Sequence, residues 1–235
     1  MVERPKFAAI CFDCDSTLTR IEGIDELARR SGREAEIAPL TEAAMEGALS
    51  LEDVYARRLD IVRPGREELS WLGERYIEEM VDGVRETIAA LHYLGKAVYL
   101  ISGGFLQPVA RLGQAVDITA SHVHAVEIYL DSAGDFSGFD AASPLIRGNG
   151  KAEICRELVQ RHGAVAMVGD GVTDLAARAG GAYVIGFGGV ARRQAMVEGA
   201  DTFIADTNLL RTLDVLLTDA EIAQWRAREP TGECE

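Results

Sequence analysis

The sequence predicts an α/β fold, a doubly wound and mainly parallel sheet with a small helical bundle inserted after the first strand. Three patterns predict it. Short apolar runs recur along the 235 residues, each followed by a turn and an amphipathic stretch, the signature of βαβ units. Right-handed crossovers then place helices on both faces of the sheet. One long interval, about residues 23–94, carries only helical periodicity and breaks the alternation.

Taken in chain order, residues 7–12 read as the first buried strand. In the interval that follows, Ile24-Leu27-Ala28 and Leu51-Val54-Tyr55-Leu59 have helical spacing, and Pro64-Gly65 punctuates the run. This helical stretch reads as a separate lid-like domain over residues 21–82, leaving residues 1–20 and 83–235 for the α/β core. Residues 97–101, 165–168 and 182–185 are further buried strands, and 201–204 is a weaker fifth. Amphipathic stretches lie at 105–113, 150–162, 173–179, 190–198 and 207–217. Residues 123–130, the turn Asp131-Ser132-Ala133-Gly134 and residues 135–139 are expected to form a β-hairpin, a flap over about 122–140. From Thr218 onward the chain turns polar and is expected to fray.

Composition narrows the function classes. A formal net charge of −14, from 24 basic and 38 acidic residues, repels phosphate backbones and argues against nucleic acid as a partner. No run approaches the ~20 apolar residues a membrane helix needs, and the first residues lack a signal-peptide core. A cytoplasmic protein without a membrane partner is expected; monomer and homodimer both stay open. The four cysteines, Cys11, Cys14, Cys155 and Cys234, are too few for a disulfide scaffold. Cys11-x-x-Cys14 raises a redox pair, but Cys11 lies inside a buried run where a thiol packs as a small hydrophobe. His122 and His124 are two ligands without a third, and packing or edge solvation suits them better than a metal.

The chemistry sits at strand ends. Phe12-Asp13-Cys14-Asp15-Ser16-Thr17 closes the first strand. If the strand pleat continues, Asp13 and Asp15 face the same way with Cα atoms ~6–7 Å apart. A helix N-cap would account for one such side chain but not for two acids. Val168-Gly169-Asp170-Gly171-Val172-Thr173-Asp174 closes another strand, and a helix beginning near Gly171 brings Asp170 and Asp174 to one edge. Mg²⁺ prefers such hard oxygens and commonly takes one or two carboxylates beside waters and a substrate phosphate. Ser102, followed by Gly103-Gly104, offers a hydroxyl backed by backbone amides. Lys151 opens a helix after Gly148-Asn149-Gly150. Four acids around a phosphate require compensating charge, because unit charges ~4 Å apart interact by ~4 kcal/mol even at a dielectric near 20.

In this order and spacing the motifs resemble those of the haloacid dehalogenase (HAD) superfamily. Asp13-x-Asp15-x-Thr17 matches its first motif, Ser102 its second, Lys151 its third, and Gly169 through Asp174 its fourth. The resemblance extends over about residues 7–217. It implies a HAD-like, Rossmann-like core with a cap between the first two motifs. It also implies a magnesium-dependent phosphatase in which Asp13 is the nucleophile and Asp15 the acid and base. Mg²⁺ would then be held by Asp13, Asp170 and the backbone carbonyl of Asp15, with Asp174 in support. Ser102 and Lys151 would hold the phosphoryl oxygens.

Matches in Ile21-Glu22-Gly23-Ile24-Asp25-Glu26-Leu27, Ala44-Met45-Glu46-Gly47, Arg57-Arg58-Leu59, Ser102-Gly103-Gly104-Phe105 and Ile185 through Gly189 are similar to the branch that hydrolyses phosphoserine, the last step of serine biosynthesis. That likeness implies Glu22 for the substrate ammonium, Arg58 (or Arg57) for its carboxylate, and Met45, Gly103 and Thr173 lining the pocket. Thr173 replaces an Asn common in bacterial members. Phosphoethanolamine, phosphocholine, phosphothreonine or a sugar phosphate are alternative substrates. A phosphomutase and an inactive binding module are the remaining alternatives.

Overall fold

The computed structural model describes residues 7–45 and 50–228. In chain order it runs β1 (Ala9–Phe12), α1 (Gly23–Arg30), α2 (Glu34–Met45), α3 (Leu51–Val62), α4 (Arg66–Glu78), α5 (Val84–Tyr93), β2 (Ala97–Phe105), α6 (Leu106–Ala115), β3 (Val123–Val126), β4 (Ile128–Leu130) and β5 (Phe136–Phe139). It continues with α7 (Gly150–His162), β6 (Val165–Gly169), α8 (Val172–Leu175), β7 (Tyr183–Phe187), α9 (Gln194–Gly199), β8 (Thr202–Ile204), α10 (Leu213–Leu216) and α11 (Asp219–Arg226).

Six strands form one sheet in the order β3-β2-β1-β6-β7-β8, and every neighbouring pair is parallel. Strands buried on both faces need unbroken apolar sequence, which β1 and β6 supply: every residue in both is buried. Alternation along β1 sends Ile10 and Phe12 into one apolar layer and Ala9 and Cys11 into the other. Cys14 belongs to the first layer and Cys11 to the second, so the CxxC is not a facing pair.

The chain winds outward from β1 through β2 and β3, then restarts at β6 and winds the other way. The order therefore reverses between β1 and β6. Ligands of open α/β sheets bind at such a switch point, beyond the carboxyl ends of the strands.

Helices α1 to α4 stand between β1 and β2. The segments entering and leaving them lie side by side, with Val81 N–H donating to Leu18 O at 2.9 Å and Arg20 N–H to Glu79 O at 2.8 Å. Helix α4 packs on α6, where Gly73 lets the backbone approach Arg111 and Arg111 Nε meets Glu74 at 2.8 Å.

The structure corrects three sequence expectations. Residues 123–130 are not one hairpin arm: β3 joins the main sheet as its parallel edge, with Val123 beside Leu100, and only β4 pairs antiparallel with β5. Burial of Val123 and Val126 against the sheet outweighs continuation of the hairpin. Strand β2 runs past Ile101 to Phe105, so Ser102 lies within its irregular end and not after it. Residues beyond Thr218 do not fray at once. Helix α11 is capped by Thr218, whose hydroxyl accepts from Glu221 N–H at 3.3 Å while Glu221 accepts from Thr218 N–H at 2.9 Å.

No described helix is long and apolar enough to cross a membrane. The histidines His122 and His124 stack on Tyr99 at 4.1 and 6.1 Å, a packing role.

Candidate active site

Strand β1 stops at Phe12, and Asp13 N–H donates to Val168 O at 2.9 Å. The chain then turns tightly, with Leu18 and Thr19 N–H both donating to Cys14 O at 2.9 and 3.1 Å and Ser16 at φ 52°. The pleat therefore does not carry Asp15 to the side of Asp13; the turn does the placing. Asp13 Oδ1 accepts from Cys14 N–H at 2.7 Å, and its Oδ2 faces Lys151 Nζ at 2.7 Å. Asp15 Oδ1 accepts from Tyr76 Oη at 2.7 Å and from Gly23 N–H at 3.1 Å. Burial, with Glu22 and Asp13 nearby, pushes the Asp15 carboxyl well up, against the pull of the Tyr76 and Gly23 donors. Burial also pushes the Cys14 thiol well up, which suits packing and not redox chemistry.

The tip of β6 supplies the second group of acids. Asp174 sits in the first turn of α8, where it accepts from Gly171 N–H at 2.9 Å and from Lys151 Nζ at 2.6 Å. Its carboxylate folds back over Gly169, where a Cβ would lie 2.1 Å from Asp174 Cγ. Only glycine leaves that space. Asp170 accepts from Arg193 Nε at 2.8 Å, with Thr17 Oγ1 at 3.5 Å from its other oxygen. Oxygen atoms from Asp13, Asp170 and Asp174 all lie within 4.8 Å of one another, and all three residues are buried.

Electrostatics make this cluster unstable without cations. Burial and Asp13 push Asp170 up, while Arg193 and Lys151 oppose. Burial lifts Asp174 to about 7 although Lys151 pulls it down. Burial would lower Lys151, but Asp13 and Asp174 outweigh it and push the ammonium up, so the lysine stays charged between them. A further divalent cation fits: the donors are hard carboxylate oxygens, converging from two strand ends, of the kind Mg²⁺ or Ca²⁺ takes.

Ser102 is buried and its Oγ accepts from Gly104 N–H at 2.9 Å. Gly103 and Gly104 follow at the end of β2, where a Cβ on Gly104 would lie 3.3 Å from Asp15 Oδ2. Glu22 precedes α1 and accepts from Ser16 Oγ at 2.7 Å and from Arg193 at 3.3 Å. Arg58 is half-buried on α3, within electrostatic reach of Asp25 and Glu22, whereas Arg57 is exposed. Thr173 is half-buried on α8. Met45 ends α2, and its side chain lies outside the described residues, as do residues 46–49 and Cys234.

Two residues of this site escaped the sequence reading. Arg193 could have been sought as a basic residue in the loop after β7, since an acidic site needs local positive charge. Tyr76 gives no local signal, because it reaches Asp15 from α4 through the tertiary fold.

Comparison with known proteins extends this picture. Residues 7–181 match the family model described as haloacid dehalogenase-like hydrolase. The chain is 36% identical over 200 residues to the phosphoserine phosphatase of Mus musculus, covering 84% of this chain and 89% of that one. A solved phospho-aspartyl intermediate analogue of phosphoserine phosphatase superposes with TM-score 0.74 at 28% identity, over 91% of this chain and 100% of the other. A substrate-bound phosphoserine phosphatase complex gives TM-score 0.76 at 27% identity, over 92% and 100%.

Proposed function

The chain belongs to the haloacid dehalogenase-like hydrolase family, and from that premise we propose that it hydrolyses O-phospho-L-serine to L-serine and phosphate through an aspartyl phosphate. It is a phosphoric monoester hydrolase. The observation that carries the substrate assignment is its 36% identity over 200 residues to a phosphoserine phosphatase, taken with the buried acid cluster around Lys151.

Asp13 attacks phosphorus, and Lys151 at 2.7 Å restrains its carboxylate and offsets charge on the transferring group. Asp15 gives a proton to the leaving seryl oxygen, then takes one from the water that cleaves the aspartyl phosphate. Ser102 and the backbone after it hold phosphoryl oxygens, where positioning does most of the catalysis. Glu22 receives the substrate ammonium and Arg58 its carboxylate. The half-burial of Arg58 beside Glu22 favours it over the exposed Arg57. Met45, Gly103 and Thr173 line the remaining wall.

Asp13, Asp170 and the backbone carbonyl of Asp15 would hold Mg²⁺, with Asp174 turned toward Lys151 in support. When bound, the ion supplies the positive charge that lets a phosphate dianion approach these acids. In this reading residues 21–82 act as a helical cap over a core of residues 1–20 and 83–235. The cap closes on substrate and excludes water. The net charge of −14 supports a small-molecule substrate over nucleic acid, and the enzyme serves serine biosynthesis as a cytoplasmic protein.

The test is kcat/KM for phosphoserine against phosphoethanolamine, with Mg²⁺ and with chelator. Phosphoserine is expected to lead by about a hundredfold or more, because the analogue lacks the carboxylate that Arg58 would receive. Asp13→Asn is expected to fall to background, and chelator to silence the wild type. Equal kcat/KM for the two esters overturns the substrate assignment.

A further inference from the structure

We infer that Tyr76 is a positioning residue for the reaction, holding one oxygen of Asp15 so that the other, Oδ2, carries the proton to and from the substrate. This rests on the phosphatase reading of the site. Tyr76 is fully buried on α4, and its hydroxyl donates to Asp15 Oδ1 at 2.7 Å. Gly23 N–H donates to the same oxygen at 3.1 Å. A carboxyl oxygen that accepts two such bonds is a poor seat for a proton, so the acid form carries it on Oδ2. That oxygen faces the end of β2: a Cβ on Gly104 would lie 3.3 Å from it and 3.1 Å from Ser102 Oγ. Asp15 Oδ2 and Ser102 Oγ therefore flank the same glycine at the end of β2, where phosphoryl oxygens are to be bound.

The strut is rigid at both ends. A Cβ at position 23 would lie 2.2 Å from Tyr76 Oη, so glycine there is what admits the phenol. The helix that carries Tyr76 packs closely on α6, where a Cβ at Gly73 would lie 3.5 Å from the backbone of Pro108. The phenol is the donor of this pair and the carboxyl oxygen its acceptor. In the first half-reaction the Asp13–phosphorus bond forms as the bond to the seryl oxygen breaks, and Oδ2–H passes to that oxygen. In the second, water bonds to phosphorus, its proton passes to Oδ2, and the Asp13–phosphorus bond breaks to release phosphate. Both transfers use one oxygen, and Tyr76 selects it.

A buried tyrosine that only fills space would show none of this, and leaving-group chemistry separates the two roles. A seryl alkoxide needs a proton to depart; nitrophenolate does not. The experiment measures single-turnover cleavage of phosphoserine and of p-nitrophenyl phosphate by wild type, Tyr76→Phe and Gly23→Ala. Tyr76→Phe keeps the ring and loses the hydroxyl; Gly23→Ala expels the hydroxyl from the other side. Cleavage of phosphoserine is expected to slow on the order of 10- to 100-fold in both variants, as for a misplaced catalytic group, while aryl phosphate cleavage stays within about threefold. Equal slowing of both substrates, or no slowing of either, overturns the role of Tyr76. If Tyr76→Phe does not fold, the ratio for Gly23→Ala decides alone. Failure of wild type to cleave phosphoserine would instead strike the substrate assignment, so the two failures are distinct.

Discussion

The sheet buries a lysine at each end, and the two are used differently. At the carboxyl end, Lys151 lies between Asp13 at 2.7 Å and Asp174 at 2.6 Å, within a group of acids that outnumbers it. At the amino end, Lys96 precedes β2 and meets Glu221 of α11 at 2.5 Å and the carbonyl of Phe7 at 2.8 Å. The second arrangement is balanced: one cation, one anion and one neutral acceptor, tying α11 to the start of the sheet. The first carries excess negative charge, and folding alone gives no reason to assemble it. Acids crowded at a switch point make sense only when a cation and a phosphate complete them. The difference between the ends is the physical signature of a site.

Exchanging each lysine breaks or sharpens that contrast. Lys151→Met removes the charge opposite Asp13, the proposed nucleophile, and kcat is expected to fall at least about a hundredfold, the scale of losing one transition-state donor. Wild-type turnover in that variant would end the comparison. Lys96→Met is expected to leave kcat within about twofold while lowering stability by roughly 1–3 kcal/mol in urea unfolding, since Glu221 can turn to water once its partner is gone. Arg193 stands between the two cases, bridging Asp170 and Glu22 at 2.8 and 3.3 Å. Arg193→Gln is expected to raise KM for phosphoserine about tenfold by loosening Glu22, equivalent to about 1.4 kcal/mol. An unchanged KM would make Arg193 a surface ion pair.

The smallest effect is one of pH. Burial pushes Glu221 up, but its bonds to Lys96 and Thr218 outweigh this and hold the carboxyl below the ordinary glutamate range. A depressed folded-state value means stability present above the unfolded value and lost as pH falls through the folded one. Between pH 7 and 3, Glu221→Gln should therefore lose less stability than the wild type, and parallel curves would show that the pair contributes nothing.

The same contrast shows what a sequence can disclose. Asp13, Asp170 and Asp174 were readable because Asp13 and Asp170 each follow an apolar strand and Gly169 and Gly171 mark the turn that carries Asp170 and Asp174, signals confined to a few neighbouring residues. Helix α11 was missed, because polar composition masked the capping box that Thr218 and Glu221 form. Strand β3 was ambiguous: its alternation suits a hairpin arm or a sheet edge, and only the neighbour it meets decides. Tyr76 gave no such signal, and Arg193 gave only the general need of an acidic site for a nearby basic residue. Their partners lie 61 and 23 residues away, so their roles exist only once helix and sheet have been brought together.

The proposed reaction requires the acids at the ends of β1 and β6 to hold a divalent cation. Isothermal titration of Mg²⁺ into wild type and Asp170→Asn, each checked for folding by circular dichroism, tests it most directly. One ion per wild-type chain is expected, with affinity weakened at least about tenfold in Asp170→Asn. Equal binding by both proteins, or none by the wild type, would contradict it.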